Sequence, residues 1–458
     1  MIFKRWTLSK ICISLIALIW VLSFFNLKRY KDHIIVHDVV SYYGYLPAIF
    51  IFGNIHLNFD VTHNDLFNEG FFSDKYWPET APNGGKVIKT TMGLSMLYAP
   101  FFFLGHLTAK MLGYPPLGYS LPYNIFLLLS CFFYLMIGFY YLRKLLIKNF
   151  SEIATTLTLL SVYFGTNLYF YSTTEALMSH SYLFSLLCVF LYFTVLWHDQ
   201  PTFKNTIVLG FIGGLMTVIR PTALLLMLIP MLYTIIDKET FLQKIKLIVN
   251  EKYKILLLLI VFILPILPQL FYWKYITGDW LFNSYTNERF YFNNPHIIQV
   301  LFSYRNGLLI YSPIMIFALI GFIFLKRYSP KFMISALVTF AILLYTISSW
   351  WCWWFGGSYG MRALIDLFGL LALPMAAFYQ FVFTKKVIYK VSLTILFLLL
   401  IALSLFQTIQ YRRGLVHYDS GTKESFWINF GKLEIQPGWW ESLKVPNYDR
   451  ARQGLPEY

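Results

Sequence analysis

Asp38 opens the stretch "HDVVSYYGYLPAIF", where the first long apolar run of the chain has just ended. A carboxylate there can take a proton from an attacking hydroxyl, or it can cap the helix that follows. Glu175, in "STTEALMSHS", is a second acid of the same kind, and its alternative is a solvated loop residue. Four cations, Lys89, Arg220, Arg305 and Arg362, stand in other polar breaks between apolar runs. Arginine can hold a departing phosphate through two parallel hydrogen bonds. Tyr42, Tyr43, His180 and Trp354 are the candidate substrate-lining residues. Together they suit transfer of a group from a phosphate leaving group to a hydroxyl acceptor.

Each residue has a plainer reading. Arg220 suits an interfacial arginine snorkelling to headgroups, and Arg362 could pair with Asp366 at i,i+4. His180 and the tryptophans Trp350, Trp351, Trp353 and Trp354 suit an interfacial belt. Asp60 and Asp65 read as solvated loop acids. His33, His37, His56 and His63 share one loop, but their spacing fits no metal template, and no metal site is expected. Neither GxGxxG nor GxxxxGK[ST] nor DxD occurs, and "GGSYGMR" is a weak phosphate-loop signal at an apolar boundary.

These residues are held by a chain that is 58% hydrophobic, 20% aromatic and 13% charged over 458 residues. Soluble domains carry about 25% charged residues, so the fold class is an all-α polytopic membrane protein. The net charge of +15 does not imply a nucleic-acid partner, because the basic residues form short clusters between apolar runs. Cys12, Cys131 and Cys188 fall inside apolar runs and Cys352 has no evident partner, so no disulfide framework is expected.

Hydropathy predicts eleven spans, at 11-27, 121-142, 153-171, 181-197, 206-219, 222-236, 254-275, 307-325, 332-350, 363-383 and 388-409. The run at 92-112 contains Pro100, His106 and Lys110, and is expected as a surface or re-entrant helix pair. If it does not cross, Lys4, Arg5 and Lys10, the clusters at 143-148, 238-254, 326-331 and 385-390, and Lys204 all share one side. The positive-inside rule then puts the N-terminus in the cytoplasm and the C-terminus outside. That parity requires a turn at Arg220-Pro221. It divides the chain into a transmembrane domain, 1-409, whose first outer loop is 28-120, and a small outer tail, 410-458. Asp38, Glu175 and the four candidate cations then gather on the outer face, where charge near the membrane is a functional candidate.

In this order the segments resemble the GT-C superfamily of membrane glycosyltransferases, in its protein O-mannosyltransferase and aminoarabinose-transferase-like branch. Asp38 after the first span is similar to that family's first-loop acid. "KTTMGLSMLYAPFFFLGH" resembles its outer amphipathic helix, "GTNLYFYSTTEALMSHSYLF" its second acidic loop and "VIRPTALLLMLIP" its cation-bearing hairpin. "YRNGLLIYSP" and "WWCWWFGGSYGMRALID" resemble later segments of bacterial members. The resemblance implies a GT-C-like bundle and a sugar carried on polyprenyl phosphate. It also implies a carboxylate base and an envelope acceptor (glycan, lipid or protein) at a bacterial inner membrane. The chain departs from the family in having His37 and Val39 beside Asp38, "VIKTTMG" in place of Glu-Lys-Pro, and Glu175 in place of Asp. No cofactor is expected beyond the lipid-linked donor, and these departures do not support a divalent metal. The alternatives from other classes are a transporter or flippase of a lipid-linked glycan and an inactive glycosyltransferase-like scaffold.

Overall fold

The computed structural model describes residues 7–57 and 78–458. Asp60, His63 and Asp65 lie outside the described residues. The architecture is helical, with a single two-stranded antiparallel hairpin among the described residues, Pro78–Thr80 against Lys86–Ile88.

Six helices are long and apolar enough to cross a bilayer: Leu8–Leu27, Leu121–Leu146, Ser179–Asp199, Pro330–Ser348, Arg362–Phe383 and Val387–Arg412. The pair Lys252–Ile263 and Leu267–Thr277, bent by 45°, supplies a seventh if counted as one span. The chain is thus a helical protein suited to several membrane crossings, but the expected eleven are not found among the described residues. The difference lies in breaks that a hydropathy average cannot see. The run at 307-325 is a short helix, Leu308–Tyr311, a 3-10 turn at Pro313–Met315, and a regular helix only over Ile316–Tyr328. The run at 153-171 divides into Glu152–Phe164 and Leu168–Thr173. Thirteen residues rise about 20 Å, short of a hydrocarbon core of about 30 Å. The break expected at Arg220-Pro221 is present: Phe203–Ile219 ends there, Arg220 is extended, and Pro221–Met227 follows as a 3-10 helix.

The run at 92-112 is one continuous helix, Gly93–Met111, and not a helix pair. Pro100 is tolerated inside it, and the helix packs against Leu121–Leu146 and Asp38–Phe50.

Ser179–Asp199 is central, with 89% of its apolar window buried, whereas Val387–Arg412 is peripheral at 17%. Among the described residues two helix crossings are equally tight, at Gly214 against the Phe262 carbonyl and at Gly321. A Cβ at Gly321 would stand 1.9 Å from the Pro374 carbonyl oxygen, so Ile316–Tyr328 and Phe368–Phe383 meet backbone to backbone. The segment 410–458 is not a free-standing cap. Arg305, 3% exposed, pairs with Glu457 at 3.3 Å. The Ser358 amide donates to the Tyr418 carbonyl at 3.2 Å, and Tyr291 donates to the Arg452 carbonyl. These bonds seat the segment on the loops around 276–306 and 350–358.

Candidate functional site

Asp38 is the first residue of the helix Asp38–Phe50, and the N-cap position belongs to His37, which makes no side-chain capping bond. His37 adopts φ 51° and ψ −134°, a conformation costly for a residue with a Cβ. The turn leaves the Asp38 carboxylate free of the helix terminus. Its Oδ2 accepts from Arg362 Nη2 at 3.0 Å instead. Burial pushes the Asp38 carboxyl up, but the charges of Arg362 and, further off, Arg220 outweigh this and hold it below the usual carboxylate range. The acid is therefore ionised and masked by a cation. Arg362 Nε is buried and finds no hydrogen-bond partner among the described residues, leaving a donor in reserve beside the pair.

Arg362 does not pair with Asp366. Residues Arg362–Leu367 form a 3-10 helix, whose three residues per turn send positions i and i+4 to different faces. Asp366 takes its own partners: His180 Nδ1 at 2.9 Å from Oδ1 and Arg220 Nη1 at 3.4 Å from Oδ2. Arg220 also reaches His180 Nε2 at 3.4 Å and donates from Nε to Ser179 Oγ at 3.1 Å. This pattern fits a neutral His180 ring with its proton on Nδ1. His180 is fully buried, so it fixes the Asp366–Arg220 pair and is not an exposed wall residue.

A cavity of about 710 Å³ opens over these groups. Its charged lining comprises five cations (Lys89, Arg220, Arg289, Arg362, Arg452) and three carboxylates (Asp38, Glu288, Asp366). The balance favours an anionic guest. Part of the wall is apolar, from Leu183, Ile219, Ala223, Leu226, Leu343 and Ile347. Another part is aromatic, from Tyr42, Tyr285, Phe290, Trp350, Trp351 and Phe355. The segment after the last long helix contributes Tyr448 and Arg452.

Of the residues expected from sequence, the cavity brings together Asp38, Tyr42, Lys89, Arg220 and Arg362. Lys89 is already engaged, with Nζ 2.6 Å from Glu288 Oε1 and 3.7 Å from Glu79 Oε1, so its charge is largely spent within the protein. The other expected residues stand apart from the lining. Tyr43 is buried and donates to the Gly118 carbonyl. Arg305 is stacked on Trp353 and Trp354 and bound to Glu457, a role in seating the 410–458 segment. Trp354 is fully buried beside Tyr448, and Trp350 and Trp351 present the indole surface instead. Glu175 lies 3.9 Å from Arg29. Burial raises its carboxyl above the usual range, against the opposing charges of Arg29 and Arg362.

Glu288, Tyr285, Tyr448 and Arg452 were not singled out by sequence as site residues, and Arg289 stood out only as one more charge of the polar breaks between apolar runs. Glu288 binds Lys89 and accepts from Trp351 Nε1 at 3.2 Å, which fixes the indole against the cavity. Tyr285 lies beneath the Lys89 ammonium at 5.5 Å. The available signal was the density of aromatic and charged residues in "SYTNERFYFNNPH", which resembles an ordinary interfacial loop. Comparison with known proteins finds no family model that matches the chain and no match among curated proteins.

Proposed function

We propose that the chain is a glycosyltransferase of the GT-C type. It would transfer a sugar from a polyprenyl-phosphate donor to an envelope acceptor on the outer face of a bacterial inner membrane. The observation that carries this reading is the Asp38–Arg362 ion pair in a large cavity with a cationic, partly apolar lining. The apolar wall suits a lipid chain, and Arg362 and Arg220 suit the phosphate that leaves with it.

In this reading the donor phosphate draws Arg362 away from Asp38. The freed carboxylate accepts the proton of the acceptor hydroxyl as that oxygen attacks the anomeric carbon. The bond from that carbon to the phosphate oxygen breaks, and polyprenyl phosphate departs with the bonding pair, its charge held by Arg362 and Arg220. Attack on the face opposite the phosphate inverts the anomeric centre. Asp366 and His180 hold Arg220 in position, and Trp350 and Trp351 offer flat surfaces beside the reacting sugar.

The test is mass spectrometry of envelope glycolipids and glycans from cells with the wild-type chain, the Asp38→Asn variant or neither. Loss of one sugar addition in both defective strains is the expected result. An unchanged envelope in cells lacking the chain, or full addition by a correctly inserted Asp38→Asn protein, rejects the assignment. A transporter of a lipid-linked glycan is the second reading, favoured by the size of the cavity. Movement of the lipid across liposomes with its sugar linkage intact would support it.

A further inference from the structure

The helix Lys238–Asn250 is opened by a capping box in which Asp237 accepts from the Thr240 amide. Phe241, Leu242, Ile245, Ile248 and Val249 on this helix are 48%, 49%, 43%, 40% and 60% exposed. At 3.6 residues per turn they fall within an arc of about 120°. A second side faces the protein: Lys244 is buried, its ammonium donating to the Pro230 carbonyl at 2.6 Å and the Tyr233 carbonyl at 3.2 Å and touching His198 Nε2. A third side carries Glu239, Gln243, Lys246 and Asn250. The helix is therefore fixed to the body along one edge, with its apolar arc uncovered and a polar side next to that arc.

The uncovered arc continues along the chain. In Lys252–Ile263, Tyr253, Leu256, Leu259 and Ile260 are 73%, 56%, 53% and 51% exposed, and this helix is the first half of the bent candidate span. Lys238, Lys246 and Lys252 have no carboxylate partner among the described residues, whereas Lys254 is paired with Glu251 at 2.5 Å. An apolar stripe flanked by Lys246, with Lys238 and Lys252 at its two ends, and running into a candidate span, has the form of an in-plane membrane helix.

We propose that Lys238–Asn250 lies in the plane of the membrane, with its apolar arc sunk into a leaflet of anionic phospholipid. Lys238, Lys246 and Lys252 meet the headgroup phosphates there. Unpaired lysines near such a surface each add attraction, which salt weakens. A second copy of the chain is the poorer occupant, because the same stripe continues onto a surface that lipid must already cover.

All four native cysteines are buried, which permits selective labelling of an introduced one. Full-length protein carrying Ile245→Cys or Gln243→Cys would be spin-labelled and placed in nanodiscs of phosphatidylcholine alone or mixed with phosphatidylglycerol. The Ile245→Cys label is expected to be accessible to oxygen and shielded from an aqueous nickel reagent, and the Gln243→Cys label the reverse. Replacing Lys238, Lys246 and Lys252 with Gln should remove the deeper immersion seen with phosphatidylglycerol. A water-exposed Ile245→Cys label overturns the proposal, as does spin–spin broadening from a second copy. Equal immersion in both lipid mixtures overturns the anionic preference.

Discussion

Arg362 Nη2 stands 3.0 Å from Asp38 Oδ2, closing a contact between residues 324 apart in the chain. One ion pair therefore contains both the group suited to accept a proton and a group suited to hold a phosphate. Asp38→Asn is predicted to lower kcat by about 100- to 10,000-fold, the usual contribution of general base catalysis. Arg362→Lys keeps the charge but loses the planar fork, and is predicted to raise the donor KM more than it lowers kcat. Steady-state kinetics on purified variants with unchanged membrane insertion checks both.

The same pair sets a pH prediction. Its cations hold the Asp38 carboxyl below the ordinary value near 3.9. The pair's stabilising contribution is therefore present above about that pH and is lost only as pH falls through the folded value. Asp38 in the free protein stays ionised through the neutral range. When a donor phosphate competes for Arg362, the carboxyl loses its nearest cation and its affinity for protons rises. The acid limb of kcat is then predicted to lie at higher pH than that of kcat/KM, and parallel pH profiles measure the separation.

Asp366 binds His180 and Arg220 without approaching Asp38's partner. Asp366→Asn is predicted to loosen the aim of Arg220 and raise the donor KM several-fold, with a smaller change in the acceptor KM. Glu288→Gln, which disturbs Lys89 and Trp351 instead, should shift the two constants in a different ratio. Separate titration of donor and acceptor distinguishes the variants.

Gly321 packs against the Pro374 carbonyl with no room for a Cβ. Gly321→Val is predicted to force the two helices apart and cost about 1–3 kcal/mol, the usual range for overpacking. Thermal unfolding in detergent reads this as a lowered midpoint. Gly431, where φ is positive and a Cβ meets nothing, serves as the contrasting position, because there only the backbone cost applies.

Lys244 is buried among two carbonyls and a histidine nitrogen, and burial pushes its ammonium down to about 8. The unfolded chain holds that proton to about 10.4. Between these values the unfolded state binds more protons than the folded one, so stability attributable to Lys244 rises as pH increases across the window. Lys244→Met is predicted to flatten that rise, measured as unfolding midpoints from pH 8 to 10.5.

The helical character of the fold was legible in composition, and the break at Arg220-Pro221 in the charge parity, which required a turn there. The number of crossings was not. Runs such as 307-325 are apolar throughout, and only Pro313 and its neighbours show that regular helix begins at Ile316. In the site, Asp38, Arg220 and Arg362 could be picked out because charge is scarce in such a chain. Their partners could not be: the pairing of Arg362 depends on a 3-10 geometry that the i,i+4 rule does not anticipate. Trp351 and Trp354 are three residues apart in one run, yet one faces the cavity and the other is enclosed. Tyr448 touches both rings and Arg305 stacks on Trp354, contacts between parts of the chain remote in sequence.

Gly93 begins the helix Gly93–Met111 where a Cβ would stand 2.5 Å from the Ile219 amide nitrogen, next to Arg220. The backbone that carries Lys89 and Thr90 therefore rests directly on the backbone that carries Arg220, with no side chain as a cushion. The two walls of the cavity therefore stand at closest approach here, and side-chain rotamers cannot bring them nearer on this side. A larger residue at position 93 would act as a shim, forcing these two backbones apart and moving both the cavity wall and the packing behind it.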